Sequence, residues 1–296
     1  VTVTGAGTWR LNSLTIQAGG TFTAAAATIT MDGNWDSSAG TFTYGTSTVV
    51  FAANGTLTTP GGLNTEYFNN FTVNAGVTLT VATGNNAVGV VTINGSYSAP
   101  TVRLGITGSL VLGGAASTNF DLRWNTTNSL PGGTYNSLSV EATAVLAGNI
   151  TMTGTNNVDS AFGGLSTRIG AILTTNNFNI TLTSDGTTNS GSLVIGGAGE
   201  LSAIVAGSST ITVAGFMNII SATGYLTSTA SGSWTVSGSW TNATTSASWS
   251  FAAPVTFTSA TGGTMTFAGA NLAGAEFDSI TFTSSAGTAQ TFTMAT

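Results

Sequence analysis

The groups best able to do chemistry in this chain are its ten acids, because there is no His, no Cys and no Lys to share the work. Six are Asp and four are Glu, and most lie far apart. The close sets are Asp32 with Asp36, Asp121 with Arg123, and Glu276 with Asp278. Residues two apart on a strand share a face. That spacing lets Asp121 and Arg123 form a surface ion pair, and lets one carboxyl of Glu276 and Asp278 be raised by its neighbour. Acid–base cleavage of a glycosidic bond needs two carboxyls about 5–10 Å apart across a groove, a separation in space that sequence does not show. Thiolate and imidazole catalysis and the usual zinc and copper ligand sets are excluded outright. Solenoid calcium sites use dense Asp/Gly runs, which are absent, so a lone cation at Asp32/Asp36 or Asp185 is the most that metal chemistry allows. The expectation is a protein that is not an enzyme, with no cofactor and no metal. Trp234, Trp240 and Trp249 lie close enough to stack on a sugar. Trp35 recurs at the position equivalent to Trp240, however, which favours a core role.

The charge balance removes further classes. The net charge is −6 and charged residues make up 5%, against about 25% in ordinary soluble domains. Arg10, Arg103, Arg123 and Arg168 are scattered, so neither a nucleic-acid stripe nor a basic membrane-surface helix exists. No apolar run approaches the roughly 18 residues of a membrane span. With 58 Thr, 32 Ser, 40 Gly and 24 Asn, the surface is built from uncharged polar groups. Mean hydropathy is +0.32, too apolar for disorder. Val1, with no basic and apolar leader after it, reads as the start of a mature chain. The composition leans towards secretion, to the extracellular space or the cell surface.

The elements that must position these groups are strands. Thr-x-Thr with an apolar centre recurs at Thr21-Phe22-Thr23, Thr28-Ile29-Thr30, Thr181-Leu182-Thr183, Thr256-Phe257-Thr258 and many other places. Alternation points the apolar residue inward and both Thr outward, and β-branched Thr favours extended backbone. Clusters such as Ala18-Gly19-Gly20, Asn54-Gly55, Asn94-Gly95 and Pro131-Gly132-Gly133 read as turns, where Gly and Asn tolerate positive φ. No stripe of period 3.6 is present, so the chain is all-β.

A longer repeat overlies the strands. Asn12 to Trp35 parallels Asn218 to Trp240. Tyr67 to Val73 then parallels Glu276 to Phe282. The repeat core is expected at Leu11, Leu14, Ile16, Trp35, Phe51, Phe68, Phe71 and Val73. It continues at Tyr135, Leu138, Val140, Trp240, Phe257, Phe277, Ile280 and Phe282. Short strands with landmarks roughly 20 residues apart fit the rungs of a parallel β-helix, about 12–14 of them at about 4.8 Å each. Tandem β-sandwich domains are the alternative. The domain expected is one continuous solenoid over 1–296, with better-matched copies at 11–76 and 217–287 and a diverged middle at 77–216. The string Gly33-Asn34-Trp35, Ala39-Gly40-Thr41-Phe42-Thr43, Thr46 to Phe51 and Phe68 to Val73 resembles the repeats of large secreted bacterial β-helix surface proteins of the adhesin-like class, over roughly 11–95 and 217–290. That resemblance implies a β-helix outside the cell, in adhesion, sheath or filament structure. It carries over no functional residue, because its motif is one of core and turn.

Low surface charge and strand-like extremities suit self-assembly. The expected joint is Val1, Thr2, Val3 and Thr4 with Gln290, Thr291, Phe292, Thr293 and Met294, meeting other copies of the chain to form a homopolymer. A monomeric adhesin that binds surface glycans is the competing reading. Ice binding ranks lower, since ordering water needs Thr rows in register and therefore equal coil lengths. Here the intervals drift: the stretch from Phe68 to Tyr135 is longer than the one from Leu11 to Phe68.

Overall fold

The computed structural model describes residues 2–4, 7–60, 67–83, 85–113, 117–154, 164–184, 190–197, 200–220, 222–244, 250–259, 263–267, 279–284 and 292–295. The contacts divide the chain into two units, Val1–Thr126 and Thr127–Thr296. Each is a parallel β-solenoid, and among the described residues there is no helix.

In the first unit a three-stranded ladder runs Thr2–Thr4, Thr21–Thr23, Thr41–Thr43. A six-stranded ladder begins at Thr8–Leu11, Thr28–Met31 and Thr48–Phe51 and ends at Ser109–Leu112. A third sheet holds Leu14–Thr15, Trp35–Asp36, Gly55–Thr58 and their successors to Ser117–Trp124. Thr8 pairs with Thr28 and Thr28 with Thr48, two equal steps along the chain. In the second unit a seven-stranded ladder runs from Gly133–Tyr135 to Ile280–Ser284, and a five-stranded one from Ala144–Val145 to Ser250–Phe251. A third sheet there starts at Ser137–Val140 and ends at Phe292–Ala295. The pairings run in parallel, which excludes tandem sandwiches, whose sheets are antiparallel.

The core follows the expected alternation. Ile29, Met31, Val49 and Phe51 are fully buried, while Thr28, Thr30 and Thr48 beside them face outward and are half-buried. Aromatic rings meet from rung to rung: Trp35 packs edge-on against Phe42 at 4.7 Å and Phe68 at 5.5 Å. In the second unit Trp234, Trp240 and Phe251 form a triangle with centroids 5.6–6.0 Å apart. Such pairs add about 0.5–1.5 kcal/mol each beyond area burial. Trp35 and Trp240 thus hold equivalent interior places, each paired to a neighbouring apolar strand residue, Leu14 and Met217.

Two expectations change. Asn54-Gly55 and Asn94-Gly95 are not positive-φ turns; Gly55 opens a strand and neither glycine is left-handed. They are glycine because the rungs touch at this corner: a Cβ on Gly55 would run into the Gly33 carbonyl, and one on Gly95 into that of Asn74. The asparagines carry the ladder through the corner. Asn34 Oδ1 accepts from Thr56 N at 2.9 Å, and Asn54 Oδ1 accepts from Thr78 N at 2.7 Å. The repeat core also fails at its margins. Ile280 and Phe282 are 38% and 48% exposed, because their strand is the last of its ladder and pairs only with Val255–Ser259 among the described residues. Leu11 and Leu14 are half-buried for the same reason, lying on first strands. Phe277 lies outside the described residues.

Candidate functional site: the open first rung

The strands Thr8–Leu11 and Leu14–Thr15 form the first rung of their ladders, and each pairs on one side alone among the described residues. One rung further in, the register partners of Trp9, Leu11 and Leu14 are Ile29, Met31 and Trp35, all at 0% exposure. Trp9, Leu11 and Leu14 themselves are half-buried. Between them and the turn Gln17–Gly20 lies a hollow of about 450 Å³, floored by Ile16 and Phe22. Trp9 stands over Phe22 with ring centroids 5.4 Å apart. The positive φ of Gly19, +73°, lets the turn fold back at its rim. The chemistry offered is twofold: an apolar concavity, and beside it a row of strand N–H and C=O groups with no ladder partner on that side among the described residues.

The expected joint residues fall into place only partly. Thr2–Thr4 is already a rung, paired as Thr2 with Thr21, Val3 with Phe22 and Thr4 with Thr23. Phe292–Ala295 is likewise paired, with Phe292, Thr293 and Met294 opposite Gly263, Thr264 and Met265. Neither segment is a loose strand, and among the described residues each keeps one edge without a ladder partner. Val1, Gln290 and Thr291 lie outside the described residues.

The chemistry-bearing candidates disperse. Asp32 accepts a two-pronged bond from Arg10, Nε at 2.6 Å and Nη2 at 3.0 Å. That carboxylate raises the guanidinium pKa, in an exposed pair of little energetic weight. Asp36 turns instead to Ser38, accepting from its hydroxyl at 2.6 Å and its backbone N–H at 3.0 Å, and both bonds lower its pKa. The two acids therefore do not converge on an ion. Among the described residues no three His, Cys, Asp or Glu gather as a metal site. Backbone register sets Asp121 beside Arg103 and Arg123 beside Gly105. Glu276, Asp278 and Asp185 lie outside the described residues. The sugar platform dissolves as well: Trp234 and Trp240 are 1% and 0% exposed, and Trp249 lies outside the described residues.

Sequence reading missed one polar corner in the second unit. The register Val140–Thr167–Ile195 carries Glu141, Arg168 and Gly196 to successive rungs just past the strand ends. Glu141 is 8% exposed and accepts a long bond from Ser139 Oγ at 3.4 Å. Glu200 Oε2 accepts from the backbone N–H groups of Ile169 at 3.0 Å and Gly197 at 2.8 Å. The Ile169 bond steadies a β-branched residue held at φ +56°. The separations of Glu141, Arg168 and Glu200 along the chain carry no signal until the length of each turn is known. No family model, curated protein or solved structure matches the chain.

Proposed function

We propose that the protein is a structural subunit of an extracellular filament or sheath, which elongates when one copy stacks a rung on the open first rung of the next. The observation that carries this reading is the hollow under Trp9, Leu11 and Leu14, where an apolar floor lies directly beside an open ladder edge. A further parallel strand would satisfy the edge and cover the floor together, as Thr28–Met31 does from the inner side. The exposed Ile280 and Phe282 of the last described rung in the second unit offer matching apolar surface. Each square ångström of apolar surface so covered contributes about 25 cal/mol. The joint is heterologous, the class of contact that propagates into an open fibre wherever its rotation does not close into a ring.

Negative-stain microscopy of the purified chain at low and high salt tests this. Uniform filaments at both are expected, since ladder pairing and apolar burial are little screened. Leu14→Lys should give folded single particles. Discrete particles from the unaltered chain, or filaments undiminished by Leu14→Lys, would sink the reading; a monomer retained on a glycan array would favour the adhesin.

A further inference from the structure

The outer face of the seven-stranded ladder carries an order that the uneven spacing of the sequence conceals. Thr134 pairs with Thr151, Thr151 with Thr181, Thr181 with Thr212, Thr212 with Thr235, Thr235 with Thr256 and Thr256 with Thr281. The steps between them are unequal: the one from Thr134 to Thr151 is short, and the one from Thr181 to Thr212 is far longer. Yet every strand delivers Thr to the same column, because differences in step are taken up between strands and the register is untouched. The objection that unequal coils must scramble the Thr rows therefore fails for this face.

The column is also held rigid. Its inward neighbours Met152, Leu182, Val213 and Val236 are at 0% exposure, so the strands cannot roll. On one flank Thr183 Oγ1 donates to the Met152 carbonyl at 2.9 Å and Thr283 Oγ1 to that of Phe257 at 3.3 Å. These bonds fix the flanking rotamers. On the other flank Asn149 and Asn179 spend their Oδ1 atoms on the backbone N–H groups of Asn179 and Thr210, at 2.8 and 2.9 Å. No ionisable or aromatic side chain stands in the Thr column or its flanking positions among the described residues. The result is a neutral face built on one unbroken Thr column, with a second Thr two residues along the strand at Thr153, Thr183, Thr210, Thr258 and Thr283, and with Gly132, Asn149, Asn179, Ala214 and Pro254 at other flanking positions. The column repeats about every 4.8 Å from strand to strand, and within each Thr-x-Thr pair the two Thr stand about 6.6 Å apart, at two residues of about 3.3 Å.

We infer that this face binds ice. An unbroken column of Thr hydroxyls and methyls, repeating from strand to strand at a spacing near that of oxygens on ice surfaces and widened by neighbouring Thr on most strands, can anchor an ordered water layer that merges with a growing crystal. The flanking Thr183 and Thr283 are fixed in advance by their backbone bonds, and β-branched Thr has few rotamers to lose, so little entropy is lost on docking. Sugars are recognised through outward aromatic rings and planar polar groups, and this face has neither the rings nor free Asn oxygens at Asn149 and Asn179. The inference concerns the second unit alone and stands whether or not the chain polymerises.

The test uses the full chain in nanolitre osmometry with inspection of ice-crystal shape. Faceted crystals and a measurable gap between melting and freezing points are expected. Thr212→Tyr, a bulge at the centre of the column, should reduce that gap severalfold. Thr30→Tyr, on the six-stranded ladder of the first unit, should leave it unchanged. Circular dichroism checks that both variants fold. If Thr212→Tyr does not, Thr212→Ser, which removes one methyl, should still show a partial loss. Round, unfaceted ice with the unaltered chain would overturn the inference. So would a gap insensitive to Thr212, or Thr212-dependent retention on crystalline cellulose without any effect on ice.

Discussion

Among single residues, Tyr135 and Asp36 show how a nearly uncharged chain still responds to pH. The Tyr135 side chain is fully buried and its hydroxyl donates to the Pro131 carbonyl at 2.9 Å; burial raises its pKa well above the ordinary tyrosine value. A raised pKa means that the folded state favours the protonated form. Its contribution is therefore complete below the unfolded value, about pH 10, and is lost as pH rises beyond it. Asp36 has the opposite sign: its lowered pKa gives stability at neutral pH that fades as pH falls through the carboxylate range. A denaturation midpoint that is flat between these limits and declines beyond about pH 10 is expected, with Tyr135→Phe flattening the alkaline side. An alkaline decline unchanged in Tyr135→Phe would remove Tyr135 as its cause. The Tyr135 shift depends on burial that only the folded chain supplies, so it was not legible in the sequence, whereas the Asp36 bonds come from Ser38 just two residues along. The inward places of Phe51, Phe71 and Trp240 were legible, because period-two alternation reports facing directly.

For elements, the corner glycines and asparagines determine whether one turn can lie on the next. Gly55 and Gly19 look alike in sequence, yet their constraints differ. A Cβ on Gly55 meets the Gly33 carbonyl at ordinary φ, whereas one on Gly19 meets nothing within 4 Å and is opposed by φ +73° alone. Gly55→Ala should therefore push two turns apart and cost about 1–3 kcal/mol, as overpacking does. Gly19→Ala should cost about 1–2 kcal/mol through backbone strain. Urea titrations would separate them: adding Gly33→Ala should worsen Gly55→Ala non-additively and leave the Gly19→Ala effect unaltered. The reading of Asn54-Gly55 as a turn failed here because composition marks a break in the chain but not the close approach that requires it. Parallel pairing follows from the even step of Thr8, Thr28 and Thr48, and that step was visible as spaced landmarks. The longer step from Ile150 to Ile180 hid the same register in the region that reads as diverged.

At the scale of the whole molecule, stability is a sum of rungs and of interfaces between them. In native-state hydrogen exchange, amides of inner strands such as Thr48–Phe51 and Thr210–Val213 should be protected to the global limit. Those of Thr8–Leu11 and Ile280–Ser284 should exchange sooner, through fraying of end rungs. If copies stack as proposed, the difference at Thr8–Leu11 should disappear first. Uniform protection in dilute monomer would show instead that each unit opens as a block. None of this gradient could be read from composition, which is even along the chain; it arises from which strands have neighbours on both sides.

The parallel ladders also have a mechanical consequence. Every rung is tied to the next by hydrogen bonds running across the strands, and consecutive strands of one ladder are separated by a full turn of chain. Tension applied at an end of a unit thus strains one rung's bonds before it reaches the next. The unit yields by unzipping one turn at a time. A turn such as the one from Thr8 to Thr28 releases roughly 70 Å of chain, at about 3.5 Å per extended residue. Force applied across a ladder face is shared by many rungs at once. Each unit is therefore compliant at a frayed end and stiff along its flank.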